Sequence, residues 1–453
     1  MIPITKQAHW LMHQGAIALS HVEQTGIQID VEYCRRIQQH LTRQIARLDS
    51  MLAESSLGKV GYKRYGAKLN LNSDPQLAKI LFTDMGFKPV RLTESSDDGN
   101  ENYSVDRDSL AEIDLPEIKH LVQRRKLAKT RDTYIGNFIK EQVDGVVHPF
   151  FHLNTTRTFR PSTSAPNFAN IPKRDPEIQK ICRRAIIPRP GCKILSMDFS
   201  GIEVRIATCY HKDPTMIAYN KDPSTDMHRD MAMEIYLLEK EQVTKPIRHS
   251  GKNEFVFPEF YGDWYGSCAP NLWKSAHKSE THTLKDGRLL AQYLKAKGLT
   301  TENKFTDHLK KVEDNFWNKR FKVYSQWKKD WWAAYQKKGF FETLTGFYCQ
   351  GVMWKNDAIN YPIQGSAFHC MLYSLIKLDE FITKYKMKSR IINQIYDDIM
   401  ANIYPDEEKD IVEYSYDVMT RQLPKEWPWI IVPLDVETQM SQVDGNWYEM
   451  EKI

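Results

Sequence analysis

An aspartate at the end of an apolar strand is ready to bind a metal, and this chain offers two such positions. Lys193 to Met197 reads as a short apolar strand with Asp198 where it ends, followed by Gly201 and a helix-compatible run from Ile202 to Ala207. Far downstream, Ile395-Tyr396-Asp397-Asp398-Ile399-Met400 sets two adjacent acids inside an apolar run that otherwise reads as a buried hairpin. Buried carboxylates without partners are costly, so a cation is their natural partner. Two strand-borne aspartates brought together can bind two Mg²⁺ ions about 4 Å apart, the arrangement used for in-line phosphoryl transfer. Taken alone, Asp198 has a second reading, because Asp followed by Ser before a helix-like run is also what an N-cap looks like. The downstream pair favours the metal.

A second constellation joins cations to aromatics. Arg248 and Lys252 are four apart and share a helix face, where they can hold a triphosphate while the aromatics that follow stack on a base. Pro258 has no N–H for the Glu254 carbonyl and clashes with it. A kink or π-bulge is therefore expected between Lys252 and Pro258. A third stretch, Lys119 to Arg131, contains Arg124, Arg125 and Lys129 among its six basic residues and no acid. Either it is a solvated face, or its self-repulsion is relieved by counterions or a polyanion; the second reading makes those three residues phosphate contacts.

The elements that must position these groups are legible in outline. Lys6 to Glu23 and Val31 to Leu52 carry helical patterning, the second behind an Asp30 cap, and Ser73-Asp74-Pro75-Gln76 has capping-box spacing that opens a helix ending near Gly86. Thr93 to Ser104 reads as a mobile polar loop, and Ser366 to Tyr385 as an amphipathic helix. Trp317, Phe321, Tyr324, Trp331 and Tyr335 recur at helical spacing, which core packing explains better than base stacking. The 453 residues suffice for about three domain-sized units, and a formal charge of +5 is only mildly basic. Seven cysteines without a C-x-x-C pair indicate reduced thiols in a cytosolic protein. The start has no signal-like run and no apolar stretch reaches membrane-spanning length, so no membrane association is expected.

Asp198-Phe199-Ser200-Gly201-Ile202-Glu203-Val204-Arg205 resembles motif A of the family A DNA polymerases, in a form similar to the phage branch. Other segments resemble the same family in order. Thr25-Gly26-Ile27, Asn70 to Ser73 and the basic helix ending in Thr133-Tyr134-Ile135 are similar to its thumb. Thr158 to Pro172 resembles a Thr-Gly-Arg-Leu-Ser-Ser segment ending in Asn-Ile-Pro, with Phe159 in place of the glycine. Asn360 to Ala367 resembles Asn-x-Pro-x-Gln-Gly-Thr-Ala, and Tyr396-Asp397-Asp398 stands where the family has His-Asp-Glu.

The resemblance implies an α+β right-hand fold with an antiparallel palm sheet, helical thumb and helical fingers. It divides the chain into a thumb (1–145), first palm part (146–215), fingers (216–346) and second palm part (347–453). It implies a DNA-directed DNA polymerase that extends a primer-template with dNTPs, using two Mg²⁺ with Mn²⁺ able to substitute. Asp198, the Phe199 carbonyl and Asp397 would bind the metals, with Asp398, one methylene shorter than glutamate, left open. Glu203 would crowd the sugar 2′ position, and His228, Arg248 and the catalytic Lys252 would face the triphosphate. Phe257 and Tyr261 would face the base if one extra residue is absorbed after Lys252; the ungapped register offers Val256 and Phe260 instead. Arg160, Asn360, Gln364 and Tyr396 would line the primer-template. With no exonuclease domain ahead of the thumb, the expectation is no intrinsic proofreading, or a separate exonuclease or processivity factor as partner, in a bacterial or phage-infected cytoplasm. Tyr-Asp-Asp also occurs in reverse transcriptases, so a reverse transcriptase or single-subunit RNA polymerase is the alternative, and a non-catalytic nucleic-acid-binding protein a more distant one.

Overall fold

The computed structural model describes residues 2–92, 103–172, 175–278 and 281–453. The loop expected over Thr93 to Ser104 lies outside the described residues except for Tyr103 and Ser104.

Alternation of buried residues builds the central sheet. It has five antiparallel strands, β1 (Lys193–Phe199), β2 (Arg390–Ile395), β3 (Asp398–Ile403), β4 (Val436–Met440) and β5 (Glu451–Lys452), in the order β5-β4-β1-β3-β2. Leu195, Met197, Phe199, Ile391, Ile399, Ala401 and Ile403 enter one core, while Ile194, Ile392, Ile395 and Met400 enter another on the opposite face. This is the period-two pattern of a sheet covered on both sides.

The first of those faces is covered by a 30-residue helix, Lys355–Lys384. The amphipathic expectation is corrected here. Every residue from Gly365 to Ile376 is buried, because the helix lies between the sheet, the Lys6–Thr25 helix and the Ile202–His211 helix. A helix that is apolar all round belongs in a core. The Lys6–Thr25 helix approaches so closely that a Cβ on Gly15 would come within 2.8 Å of Leu372. The expected 1–145 unit therefore has no single core: its first helix belongs to the sheet, whereas the Val31–Glu54 and Ile118–Lys129 helices pack on each other.

A third body gathers Met216 to Tyr324 around its own core, including buried Trp317, Phe321 and Tyr324, as their helical spacing suggested. Asp30 caps the Val31–Glu54 helix by accepting from the Tyr33 amide at 2.8 Å. Ser73 stands at the N-cap of the Asp74–Ala78 helix without a side-chain bond to it. Gln76 instead turns back to the Asn70 amide at 2.8 Å, so the capping box is not formed. Among the described residues no helix is long and apolar enough to cross a membrane.

Candidate active site

Strand register brings the acids together. Asp198 is the cross-strand partner of Asp398 on β3 and of Glu437 on β4, a row of three carboxylates on one face of the sheet. Like charges directly opposite one another destabilise a sheet unless something of opposite charge faces them. The cap reading of Asp198 falls, because the following helix is capped by Gly201, whose φ of +62° is left-handed. Asp397 occupies the turn between β2 and β3, and its carbonyl accepts from the Phe199 amide at 3.1 Å, tying the two motifs through backbone. The Ser196 hydroxyl lies 2.8 and 2.9 Å from the two oxygens of Asp398 and donates to that carboxylate. Among the described residues no three His, Cys, Asp or Glu side chains converge enough to hold a cation alone.

Facing these acids is the Lys245–Gly251 helix, which continues through a π turn at Lys252–Val256 into Phe257–Phe260. The expected bulge thus falls just before Pro258. Val256 and Phe260 are buried in the core, whereas Lys252 Nζ stands 5.1 Å over the Phe257 ring and Phe257 lies 6.3 Å from Tyr261. Burial and Arg248 draw the Lys252 ammonium below its ordinary value, while Asp397, Asp198 and Asp226 act the other way. His228 packs edge-on against Phe257 at 5.6 Å. Burial, then Lys252 and Arg248, pull its pKa down to about 4, so the ring is neutral at pH 7.

Glu203 stands at a crossing of contacts. It accepts the Tyr261 hydroxyl and pairs with Arg160 at 3.0 Å, and Arg160 in turn lies 5.7 Å from the Tyr396 ring. Glu203, Phe257, Tyr261, Tyr324, Asn360 and Gln364 line one small cavity; Arg160, Gln364 and Tyr396 line the adjoining cleft. Asn360 donates to the Tyr261 carbonyl at 3.2 Å. Of the eight non-glycine residues with left-handed backbone among the described residues, two stand at this site: Tyr396 at φ +58° in the hairpin turn, and Phe159 at φ +55°, where the family pattern has glycine. Phe159 packs 5.5 Å from Phe347, so side-chain burial offsets the strain.

The basic stretch is not part of this cluster. Arg124 donates to Asp49 at 2.7 Å, Arg125 to Asp74 at 2.7 Å, and Lys126 pairs with Asp175 at 2.8 Å. The inference from an acid-free segment is corrected: neutralising acids arrive from other elements, and Lys129 is the exposed member of the expected trio. Sequence reasoning also missed Asp226 as a working residue. Its Oδ1 caps the Met227–Tyr236 helix through the Arg229 amide at 3.1 Å, and its Oδ2 accepts from Arg248 Nε at 2.6 Å. The N-cap position before His228 was the signal available for it.

A family model described as DNA polymerase family A matches residues 31–449. The chain is 26% identical over 437 residues to a thermostable DNA polymerase I of Thermus aquaticus, covering 94% of this chain and 46% of that protein. It is 26% identical over 444 residues to DNA polymerase I of Bacillus subtilis, covering 96% of this chain and 45% of that one. The chain thus spans about half the length of these curated relatives. The fold is similar to the POL domain of Pol1 from M. smegmatis, solved in complex with DNA primer-template and dNTP, with a TM-score of 0.75 at 22% identity, over 96% of this chain and 70% of that one.

Proposed function

The chain belongs to DNA polymerase family A, and from that membership we propose that it extends a DNA primer along a template with deoxynucleoside triphosphates. The observation that carries this reading is the convergence on Lys252: Asp198 comes from the end of β1 and Asp397 from the turn between β2 and β3, and both act electrostatically on an ammonium presented by the opposite helix. A carboxylate pair facing a cation pair is the division of charge that nucleotidyl transfer needs.

In this reading the sheet body is the palm, the body around Met216 to Tyr324 the fingers, and the helices between Val31 and Glu141 the thumb. Asp198, Asp397 and the Phe199 carbonyl offer hard oxygen donors, the kind Mg²⁺ takes, and these residues would hold it together with substrate phosphate. Bound there, two such ions would activate the primer 3′-hydroxyl and stabilise the leaving pyrophosphate. Arg248 and Lys252 hold the triphosphate, with Asp226 fixing Arg248 and neutral His228 available as a hydrogen-bond partner. Phe257 and Tyr261 flank the base, and Glu203, buttressed by Tyr261 and Arg160, closes the sugar edge. Arg160, Asn360, Gln364 and Tyr396 line the path of the primer-template.

Asp198→Ala and Asp397→Ala are expected to lose primer extension by about a thousandfold or more, with primer-template affinity within about threefold. Extension near the wild-type rate by either variant removes the metal assignment. A wild-type protein that incorporates no nucleotide removes the polymerase reading, and RNA templates and ribonucleotides in the same assay separate DNA from RNA chemistry.

A further inference from the structure

Behind the nucleotide helix lies a buried ionisable group that the proposed reaction does not use. Glu259 sits between Phe257 and Tyr261, two residues from each, so its side chain leaves the helix on the side opposite the cavity those aromatics line. It is fully buried. Its Oε2 accepts from Trp317 Nε1 at 2.7 Å, and its Oε1 has no hydrogen-bond partner. Lys328 Nζ stands 3.2 Å over the face of that same indole. Trp317 therefore carries an acid at its N–H edge and an amine on its π face, each interaction favourable in its own right.

This cluster adjoins the candidate site. Trp317 packs on Phe260 at 6.1 Å and on Tyr324 at 5.4 Å, and Tyr324 lines the cavity with Glu203, Phe257 and Tyr261. The π turn at Lys252–Val256 and Pro258 interrupt the i to i−4 ladder on the N-terminal side of this segment, while the Tyr261 amide keeps its bond to the Phe257 carbonyl at 3.0 Å, so side-chain anchors share in its placement. We propose that Glu259 is a positioning residue: through Trp317 and Lys328 it anchors the back of the nucleotide helix and sets where Phe257 and Tyr261 meet the incoming base. The proposal rests on the polymerase reading of the same site.

The anchor is sensitive to pH. Burial pushes the Glu259 carboxyl up to about 8, against the Trp317 bond, and burial draws the Lys328 ammonium down to about 7. Glu313 and Asp263 face the acid, Lys355 and Lys329 face the amine, and the buried Cys268 thiol lies beside the acids. Protonation of Glu259 weakens its acceptance from Trp317, because a charged acceptor bonds more strongly than a neutral one.

The test is primer extension by the full chain, with nucleotide KM and kcat read from about pH 6 to about pH 9, on wild type, Glu259→Leu and Glu259→Gln. At about pH 9, where the Glu259 carboxyl is ionised, Glu259→Leu is expected to raise nucleotide KM about tenfold with little change in kcat, the effect of losing one buried charge-assisted bond, and by less at about pH 6. Glu259→Gln keeps an acceptor for Trp317 and is expected to return KM to within about twofold while flattening its pH dependence. An active wild type beside a Glu259→Leu variant with unchanged KM overturns the proposal, as does a pH profile that Glu259→Gln leaves intact. A drop in thermal stability with KM unmoved makes Glu259 structural only and also overturns it. A wild type that extends no primer overturns the polymerase reading, and this proposal with it.

Discussion

Asp226 offers the sharpest separation of a structural role from a functional one, because its two oxygens do different work. Oδ1 caps the Met227–Tyr236 helix, which carries His228, while Oδ2 holds Arg248 on the neighbouring helix. Asp226→Ala removes both, and Asp226→Asn keeps an oxygen that can cap. Loss of the cap costs about 1 kcal/mol. The pair with Arg248 has side chains 24% and 42% exposed, so solvent screening limits it to about 0.5–1 kcal/mol. Asp226→Ala should therefore lose about 1.5–2 kcal/mol and Asp226→Asn about 0.5–1 kcal/mol, measured by denaturant unfolding at neutral pH. Both variants leave Arg248 to be ordered by the triphosphate itself, which costs about 0.5–1.5 kcal/mol and raises nucleotide KM about three- to tenfold. Burial raises the Asp226 carboxyl, but the Arg248 bond and the Arg229 amide outweigh it, and the group lies below the ordinary carboxylate range. A depressed folded pKa contributes stability above the unfolded value, so the gap between wild type and Asp226→Asn should shrink as pH falls below about 4. Equal stability of the two variants, or an unchanged KM in Asp226→Asn, would refute the division of roles.

Two other substitutions probe the turn and the sugar edge. Glu203→Ala removes the acceptor of the Tyr261 hydroxyl and the partner of Arg160. Competition between ribo- and deoxynucleotides should then shift toward ribonucleotides by about 10- to 100-fold, and an unchanged ratio places the discrimination elsewhere. Gly201→Ala meets no atom within 4 Å but must hold φ at +62°. It should cost about 1 kcal/mol of unfolding free energy from backbone strain alone, and a neutral result means that the turn relaxes.

Local physics made much of the site readable before any tertiary contact was known. The apolar run at Lys193 to Phe199 has few alternatives to a strand, and a proline six residues after Lys252 has no regular helical solution. Strand β1 and the π turn at Lys252–Val256 are accordingly where their residues indicated. The Asp30 cap is likewise an interaction spanning three residues. Reading failed where the deciding partner lies outside the pattern being read. Ser73 and Gln76 have the spacing of a capping box, yet Gln76 finds the Asn70 amide in a turn that the spacing does not encode.

By itself, the sequence determined the strand that carries Asp198 and the hairpin whose turn holds Asp397, the cation pair Arg248 and Lys252, and the aromatics that follow them, because periodicity and backbone chemistry act over a few residues. Only the tertiary structure decided which charges meet. Arg124 and Arg125 look like bare cations along the chain and are neutralised by Asp49 and Asp74. Ser366 to Tyr385 looks two-faced, yet every residue from Ser366 to Ile376 is buried. Asp226 holds Arg248 and Glu259 is sealed behind Tyr261, and no local pattern encodes either placement. Coulomb attraction and burial depend on distance in space, and the packing of whole elements sets that distance.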